Sequence, residues 1–239
     1  MERVQKVISN SGYTSRRKAE ELIIDGKVMI NGVVAKIGDK VKSTDIITVG
    51  KDIIQRNEGN YKYYLLNKPR GVITTTEDDK GRKTVVDLID TDIKIYPVGR
   101  LDYDTTGALL LTNDGNLCNK LIHPSNKIEK TYLAKIKGFL TKEKCEQLQK
   151  GVIIDNYKTH PAKVKQKSYN KNTNTALVLV TIHEGHNHQV KKMFESVGIL
   201  VDKLTRITFA GLNVKNLKSG EYRELSKKEV NILYSLIKK

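Results

Sequence analysis

The chain has 239 residues, enough for one large domain or for a small one followed by a medium one, each able to bury a core. Its 43 Lys+Arg against 27 Asp+Glu give a formal charge of +16, which favours a polyanionic partner, nucleic acid first, although a Lys-rich composition alone does not decide it. No apolar run approaches the roughly 18 residues that span a bilayer, the charged start lacks a signal core, and Cys118 and Cys145 form no C-x-x-C pair. Membrane, disulfide-scaffold and zinc-ribbon classes drop out, and a soluble protein of the reducing cytoplasm is expected.

In chain order, residues 2–11 place Val4, Val7 and Ile8 at helical spacing before Gly12, which suits a left-handed stop. Thr14 or Ser15 then caps a second helix with Ala19, Leu22 and Ile23 on its buried stripe. Arg16, Arg17 and Lys18 crowd the first turn of that helix against its macrodipole, a cost of a few tenths of a kcal/mol per charge that a bound phosphate would relieve. Val28 and Ile30, Asn31-Gly32, then Val33 and Ala35 read as a two-residue hairpin. The polar stretch GKDIIQRNEGN reads as a linker, so residues 1–48 form a helix–helix–hairpin unit, 49–60 the linker and 61–239 a second domain. In that domain short strands at Tyr64–Leu66, Ala108–Leu111, Tyr132–Ile136 and Ala176–Ile182 alternate with loops and with helical segments at Lys142–Lys150 and His188–Ser196, an α+β pattern. SKKEVNILYSLIKK reads as an amphipathic closing helix with a solvated basic face.

The segment densest in chemistry is VGRLDYDTTGALLLTNDG, residues 98–115. It sets Arg100, Asp102, Asp104 and Asp114 around a short apolar strand. A buried strand fixes the geometry of the loop leading into it, which suits a nucleophile or general base there. Asp104 and Asp114 serve equally as turn formers. From residue types alone, none of these acids is preferred.

GRLDYDTTGALLLTNDG resembles the signature of the RsuA/RluB family of bacterial ribosomal RNA pseudouridine synthases: a G-R-L-D core, a small-residue turn, a run of leucines and T-N-D-G. RVQKVISNSGYTSRRKAEELIIDGKVMINGVVAKIGDKV resembles the RNA-binding module named after ribosomal protein S-four. LLNKPRGVITT, KIEKTYLAKIKG, IHEGHNHQVKKMFE and LTRITFAGLNVKNLKSGEYREL follow in the family's order, so nearly the whole chain is covered. The resemblance implies a small αL-like RNA-binding domain followed by a catalytic domain on a mixed, mainly antiparallel sheet with flanking helices.

It also implies the reaction: isomerisation of uridine to pseudouridine, in which a uracil–ribose bond breaks, the base turns and a carbon–carbon bond forms. That chemistry needs no cofactor, metal or redox change. The family's catalytic aspartate corresponds to Asp102. Whether it attacks the anomeric carbon or promotes removal of the neighbouring sugar proton is open. Lys191, in HQVKKM, corresponds to the cation expected to hold Asp102 as a buried anion. Lys there lacks the two-pronged geometry of Arg. Tyr132, in EKTYLAK, corresponds to the tyrosine expected to stack on the target base.

A uridine inside folded RNA must be extruded to reach this site, at a few kcal/mol of lost stacking and pairing. Candidate RNA contacts are Arg3, Lys6, Arg16, Arg17 and Lys18 in the first module, and Lys68, Arg70 and Arg100 in the second. Lys68, Arg70 and Arg100 could equally pair with carboxylates. His183, His186 and His188, spaced H-x-x-H-x-H, lack a fourth ligand at metal spacing, so no metal is expected. The commoner family pattern is E-G-[RK]-N-R-Q-V, so His186 and His188 replace basic RNA-facing residues, and RNA affinity should strengthen on acidification.

The alternatives are a non-catalytic RNA-binding or ribosome-assembly protein of the same fold, and the same enzyme acting on 16S rRNA. DDKGRKTVVDLI, the Asn of EGHNHQ and LKSGEYREL look more like the branch acting on 23S rRNA, free or in an assembly intermediate. A monomer is the default expectation.

Overall fold

The computed structural model describes residues 1–56 and 59–237. Two compact units emerge: Met1–Lys62 with Thr91–Lys94 and Asn113–Gly115, and the remainder from Tyr63 onward. Asn57 and Glu58 of the expected linker, and Lys238 and Lys239 of the closing helix, lie outside the described residues. No helix among the described residues is long and apolar enough to cross a membrane.

The first unit opens with α1 (Val4–Asn10) and α2 (Arg16–Ile24). Gly12 takes the positive φ that lets the chain turn between them, and Ser15 caps α2 by accepting from the Lys18 amide at 3.2 Å. β1 (Val28–Ile30) and β2 (Val33–Val34) close around Asn31-Gly32, both at positive φ as a tight hairpin turn of this hand requires. β3 (Ile47–Val49) pairs with β1 and with β4 (Asp52–Ile53). Val4, Ile8, Ala19, Val28 and Ile47 share one core.

β4 lies inside the stretch expected to be a linker. Gly50 supplies the turn, Ile53 pairs with Thr48, and Ile54 is buried in the core. The unit therefore extends past residue 48, because two isoleucines in a polar segment find a strand edge and a core position.

The second unit is built on one sheet. Its main strands are β5 (Tyr63–Lys68), β6 (Thr106–Thr112), β7 (Lys130–Lys137), β8 (Lys163–Asn170), β9 (Thr175–Ile182), β10 (Val201–Phe209) and β11 (Tyr222–Glu224). They lie side by side in the order β8-β9-β7-β10-β6-β5-β11, antiparallel throughout except β10 beside β6. This is the mixed, mainly antiparallel α+β architecture expected. Burial alternates along β7 and β9, as strands with one face in the core should, whereas β6 is buried almost throughout.

The helices are α3 (Gly115–Ile122), α4 (Lys142–Lys150), α5 (Gln189–Ser196) and α6 (Lys227–Leu236). Ser226 and Glu229 form a reciprocal capping box at the start of α6.

Two local features set up the site. The parallel contact brings Gly107 of β6 against Arg206 of β10 so closely that a Cβ on Gly107 would stand 2.2 Å from the Arg206 carbonyl oxygen. Only glycine fits there, and its φ of +105° adds a second reason. Between β7 and β10 the register slips: Thr131 faces Thr208, but Tyr132 faces Arg206, leaving Ile207 as the extra residue of a bulge. The bulge carries the Arg206 side chain to the same sheet face as Tyr132.

Candidate active site

A cleft of about 620 Å³ opens in the second unit, and its walls include Asp102, Tyr132, Lys130, Arg206, Glu184 and His188. Asp102 stands on the loop that enters β6. That loop is pinned from below. Lys68, at the end of β5, is completely buried and donates to the carbonyl oxygens of Pro69, Asp102 and Thr105 at 3.0, 3.1 and 3.0 Å. Burial pushes its ammonium down to about 8, opposed by the charges of Asp102 and Asp104. Thr74 Oγ1 donates to the Leu101 carbonyl at 2.6 Å and accepts from the Leu101 amide, and the Gly71 amide donates to the Tyr103 carbonyl. With Lys68 holding both Asp102 and Thr105 by their backbones, the Asp102 side chain is presented from a fixed platform.

This corrects one expectation. Lys68 offers nothing to RNA, since all three ammonium hydrogens are spent on backbone carbonyls. Arg70 and Arg100 are exposed, and Arg100 is on the cleft wall.

A second correction concerns the side chain beside Asp102. His188 holds that place, with Nδ1 3.1 Å from Asp102 Oδ2, while Thr105 Oγ1 is 3.5 Å from the same oxygen. Lys191 instead straddles Asp104, with 2.7 Å to each carboxylate oxygen. The Asp104 carboxyl is held below its ordinary range first by that hydrogen bond, against the opposing effect of burial.

The reason is position. Residues 188 and 191 are three apart at the start of α5, so both can reach the same loop, and Asp102 and Asp104 divide them. Asp102 is also not a buried anion, its side chain being 29% exposed in the cleft. His188 sits in the left-handed region at φ 54°, a conformation costing a bulky residue on the order of 1 kcal/mol and typical of residues held for their position.

The remaining histidines part company. The His186 ring packs at 4.2 Å from that of Tyr157, and His183 lies 5.1 Å from the ring of His160. The H-x-x-H-x-H run thus sends its members to three different neighbours. Asp114 is 1% exposed and is not a wall of the cleft.

Tyr132, on β7, is buried on the sheet side of the cleft, with Arg206 directly across from it and Lys130 two residues before it. Neither cation was singled out from the sequence. Arg206 is 2% exposed, its Nε donates to the Ala108 carbonyl at 2.7 Å, and its guanidinium lies 4.9 Å over the Phe209 ring. Lys130 is half-buried and donates to the Glu184 carbonyl at 3.2 Å. Burial, then the charge of Arg206, pull its ammonium down to about 8, with Glu184 opposing. The Glu184 carboxylate is committed to the His160 amide at 3.0 Å and to the Gln189 side chain.

In the first unit, Arg3, Arg16 and Arg17 are exposed. Lys18 pairs with Glu21 at 2.8 Å and Lys6 with Glu2 at 2.6 Å.

Comparison with known proteins places these features in a family. Residues 62–196 match the model described as RNA pseudouridylate synthase, and residues 2–47 match the S4 domain. The chain is 51% identical over 238 residues to the ribosomal large subunit pseudouridine synthase B of Bacillus subtilis, covering 99% of this chain and 97% of that one. It is 36% identical to the protein of the same name from Pseudomonas aeruginosa, covering 97% of this chain and 61% of the other. A crystal structure of a pseudouridylate synthase superposes with a TM-score of 0.68 at 30% identity, over 98% of this chain and all of that one. With the family signature around Asp102 standing in a cleft faced by Tyr132, and an S4 domain ahead of it, the chain belongs to the RNA pseudouridylate synthase family and is an RNA-modifying isomerase.

Proposed function

We propose that this enzyme converts uridine to pseudouridine in ribosomal RNA, specifically the 23S rRNA of the large subunit, with Asp102 as the catalytic carboxylate. The observation that carries the reading is the placement of Asp102: a cleft carboxylate on a backbone tied down by Lys68 and Thr74, opposite Tyr132. The name of the Bacillus subtilis relative, matched over nearly its whole length, supports the large-subunit assignment, as does that of the longer Pseudomonas aeruginosa protein.

In this mechanism the target nucleotide is extruded into the cleft and its base stacks on Tyr132. Asp102 then acts at the sugar, either on the anomeric carbon or on the neighbouring proton. His188 Nδ1, 3.1 Å from Asp102 Oδ2, sits where it can restrain that carboxylate. Lys191, through Asp104, ties the same loop to α5. Exposed Arg16 and Arg17, with Arg3, Lys6 and Lys18, supply sequence-independent attraction to phosphates, and Arg70, Arg100 and His186 are proposed to do so near the cleft. The enzyme is proposed to work as a cytoplasmic monomer, on free rRNA or an assembly intermediate.

The test is to incubate the protein with unmodified 23S and 16S rRNA fragments and map carbodiimide-dependent reverse-transcriptase stops. One 23S stop is expected with wild type, and its rate should fall on the order of 10,000-fold in Asp102→Ala. A stop that persists in Asp102→Ala removes the catalytic assignment, one found only in 16S fragments moves the substrate, and no stop on any rRNA overturns the reading.

A further inference from the structure

Resting on the pseudouridine synthase reading, we propose that Arg206 and Lys130 are further catalytic residues: together they take up the negative charge of the uracil as it leaves the ribose.

The geometry starts from the sheet. Tyr132 and Arg206 are direct cross-strand partners, placed on one face by the bulge at Ile207, and Lys130 precedes Tyr132 by two residues on the same strand. All three line the cleft that holds Asp102. A base resting on the Tyr132 ring therefore has two cations beside its edge, while Asp102 works on its sugar.

Arg206 is also incompletely satisfied. Its Nε is bonded to Ala108 and its face is covered by Phe209, but Nη2 is buried and has no hydrogen-bond partner among the described residues. A buried N–H without an acceptor costs on the order of 1–3 kcal/mol. An acceptor arriving in the cleft recovers that cost. Glu184 offsets part of the Lys130 charge, but its carboxylate is hydrogen-bonded to the His160 amide and Gln189, not to Lys130 or Arg206.

The reaction creates an acceptor of the right kind. When the C1′–N1 bond breaks, its electron pair stays on the base, which departs as an anion with charge spread over N1, O2 and O4. This holds whether Asp102 bonds to C1′ or removes the neighbouring sugar proton. After the base turns, C5 bonds to C1′ as the C1′–Asp102 bond breaks or, on the other route, as Asp102 returns the proton to C2′; the C5 proton is then lost and N1 takes one up, so atoms and electrons balance without a co-reactant. Donors fixed in a half-enclosed site before the charge appears stabilise it more than water would. A phosphate is the competing anion for two cations. It belongs to the solvent-facing backbone of an extruded nucleotide and would meet exposed cations such as Arg100 on the cleft wall, whereas buried Arg206 is the cross-strand partner of Tyr132.

The experiment measures single-turnover rates and RNA affinity for wild type, Arg206→Lys and Lys130→Met, on an rRNA fragment that wild type modifies, with uridine or 5-fluorouridine at the target. Fluorine makes the base a better leaving group, so glycosidic cleavage depends less on stabilising its charge. With uridine, Arg206→Lys should be slower by about 100-fold and Lys130→Met by about 10-fold, with Kd within about threefold of wild type. With 5-fluorouridine both deficits in cleavage should shrink. An unchanged rate, a rise in Kd that accounts for the loss, or a deficit identical for the two bases overturns the proposal. If Arg206→Lys fails to fold, Lys130→Met, altered at a half-buried position, decides. Turnover by wild type keeps the underlying reading intact whichever way the variants behave.

Discussion

The two units use positive charge in opposite ways. On α2 of the first unit, Arg16 and Arg17 extend into solvent and Lys18 pairs with Glu21 on the surface. In the second unit, Lys68 and Arg206 are buried, with donors directed at the backbone oxygens of Thr105 and Ala108. Exposed cations act over the roughly 8 Å screening length of physiological salt and adapt to many phosphate positions. Buried ones act at one point and tolerate no displacement. Holding an RNA and transforming one of its nucleotides call for these two kinds of charge.

The sharpest way to break the contrast is at the backbone contact behind Arg206. Gly107→Ala places a Cβ against the Arg206 carbonyl, in a positive-φ position. We expect a loss of several kcal/mol, read as a marked fall in Tm, with activity lost along with it. An unchanged Tm would mean that β6 and β10 can part without cost.

The complementary change, Arg16→Ala/Arg17→Ala/Lys18→Ala, should leave Tm and single-turnover kcat unaltered. RNA affinity should weaken about 30-fold at low salt, and the slope of log K against log salt should fall by about 2–3. A changed kcat with an unchanged slope would move those residues out of the phosphate-binding class.

The mildest expected effect is in pH. Lys130, facing Arg206 and Glu184, is a cation below about 8 and neutral above it. If its charge assists the chemistry, the single-turnover rate should decline about fivefold from pH 7 to pH 9. Lys130→Met should lose that slope while retaining its lower rate. A wild-type rate that holds level to pH 9 would leave Arg206 to act alone.

Much of this architecture could be read from residue order. The hairpin at Asn31-Gly32, the Ser15 cap, the alternating strands β7 and β9 and the helix Lys142–Lys150 all rest on local patterns, and local patterns survive folding. Asp102 needed the family signature, since nothing in its residue type separates it from Asp104 or Asp114.

What the sequence hid was long-range. Lys68 looked like an RNA contact because Lys usually is exposed; only the fold shows it surrounded by carbonyls. Arg206 meets Tyr132, 74 positions earlier, through a one-residue bulge that no periodicity marks. The exchange of partners between His188 and Lys191 turns on which of two nearby aspartates each can reach. β8 escaped notice for a different reason: KVKQKSYN is an edge strand solvated along most of its length, so it carries little apolar signal.

The parallel pairing of β6 with β10 also bears on the order in which the molecule acquires its abilities. Thr106 and Thr205, joined through their hydroxyls at 2.8 Å, are 99 residues apart. Closing so long a loop precedes any reward from the contact. The first unit's core draws on Val4 through Ile54 alone. During synthesis at roughly 5–20 residues per second, the basic helix is therefore available many seconds before a strand exists to complete the cleft. The growing chain gains a grip on polyanions well ahead of any capacity for chemistry.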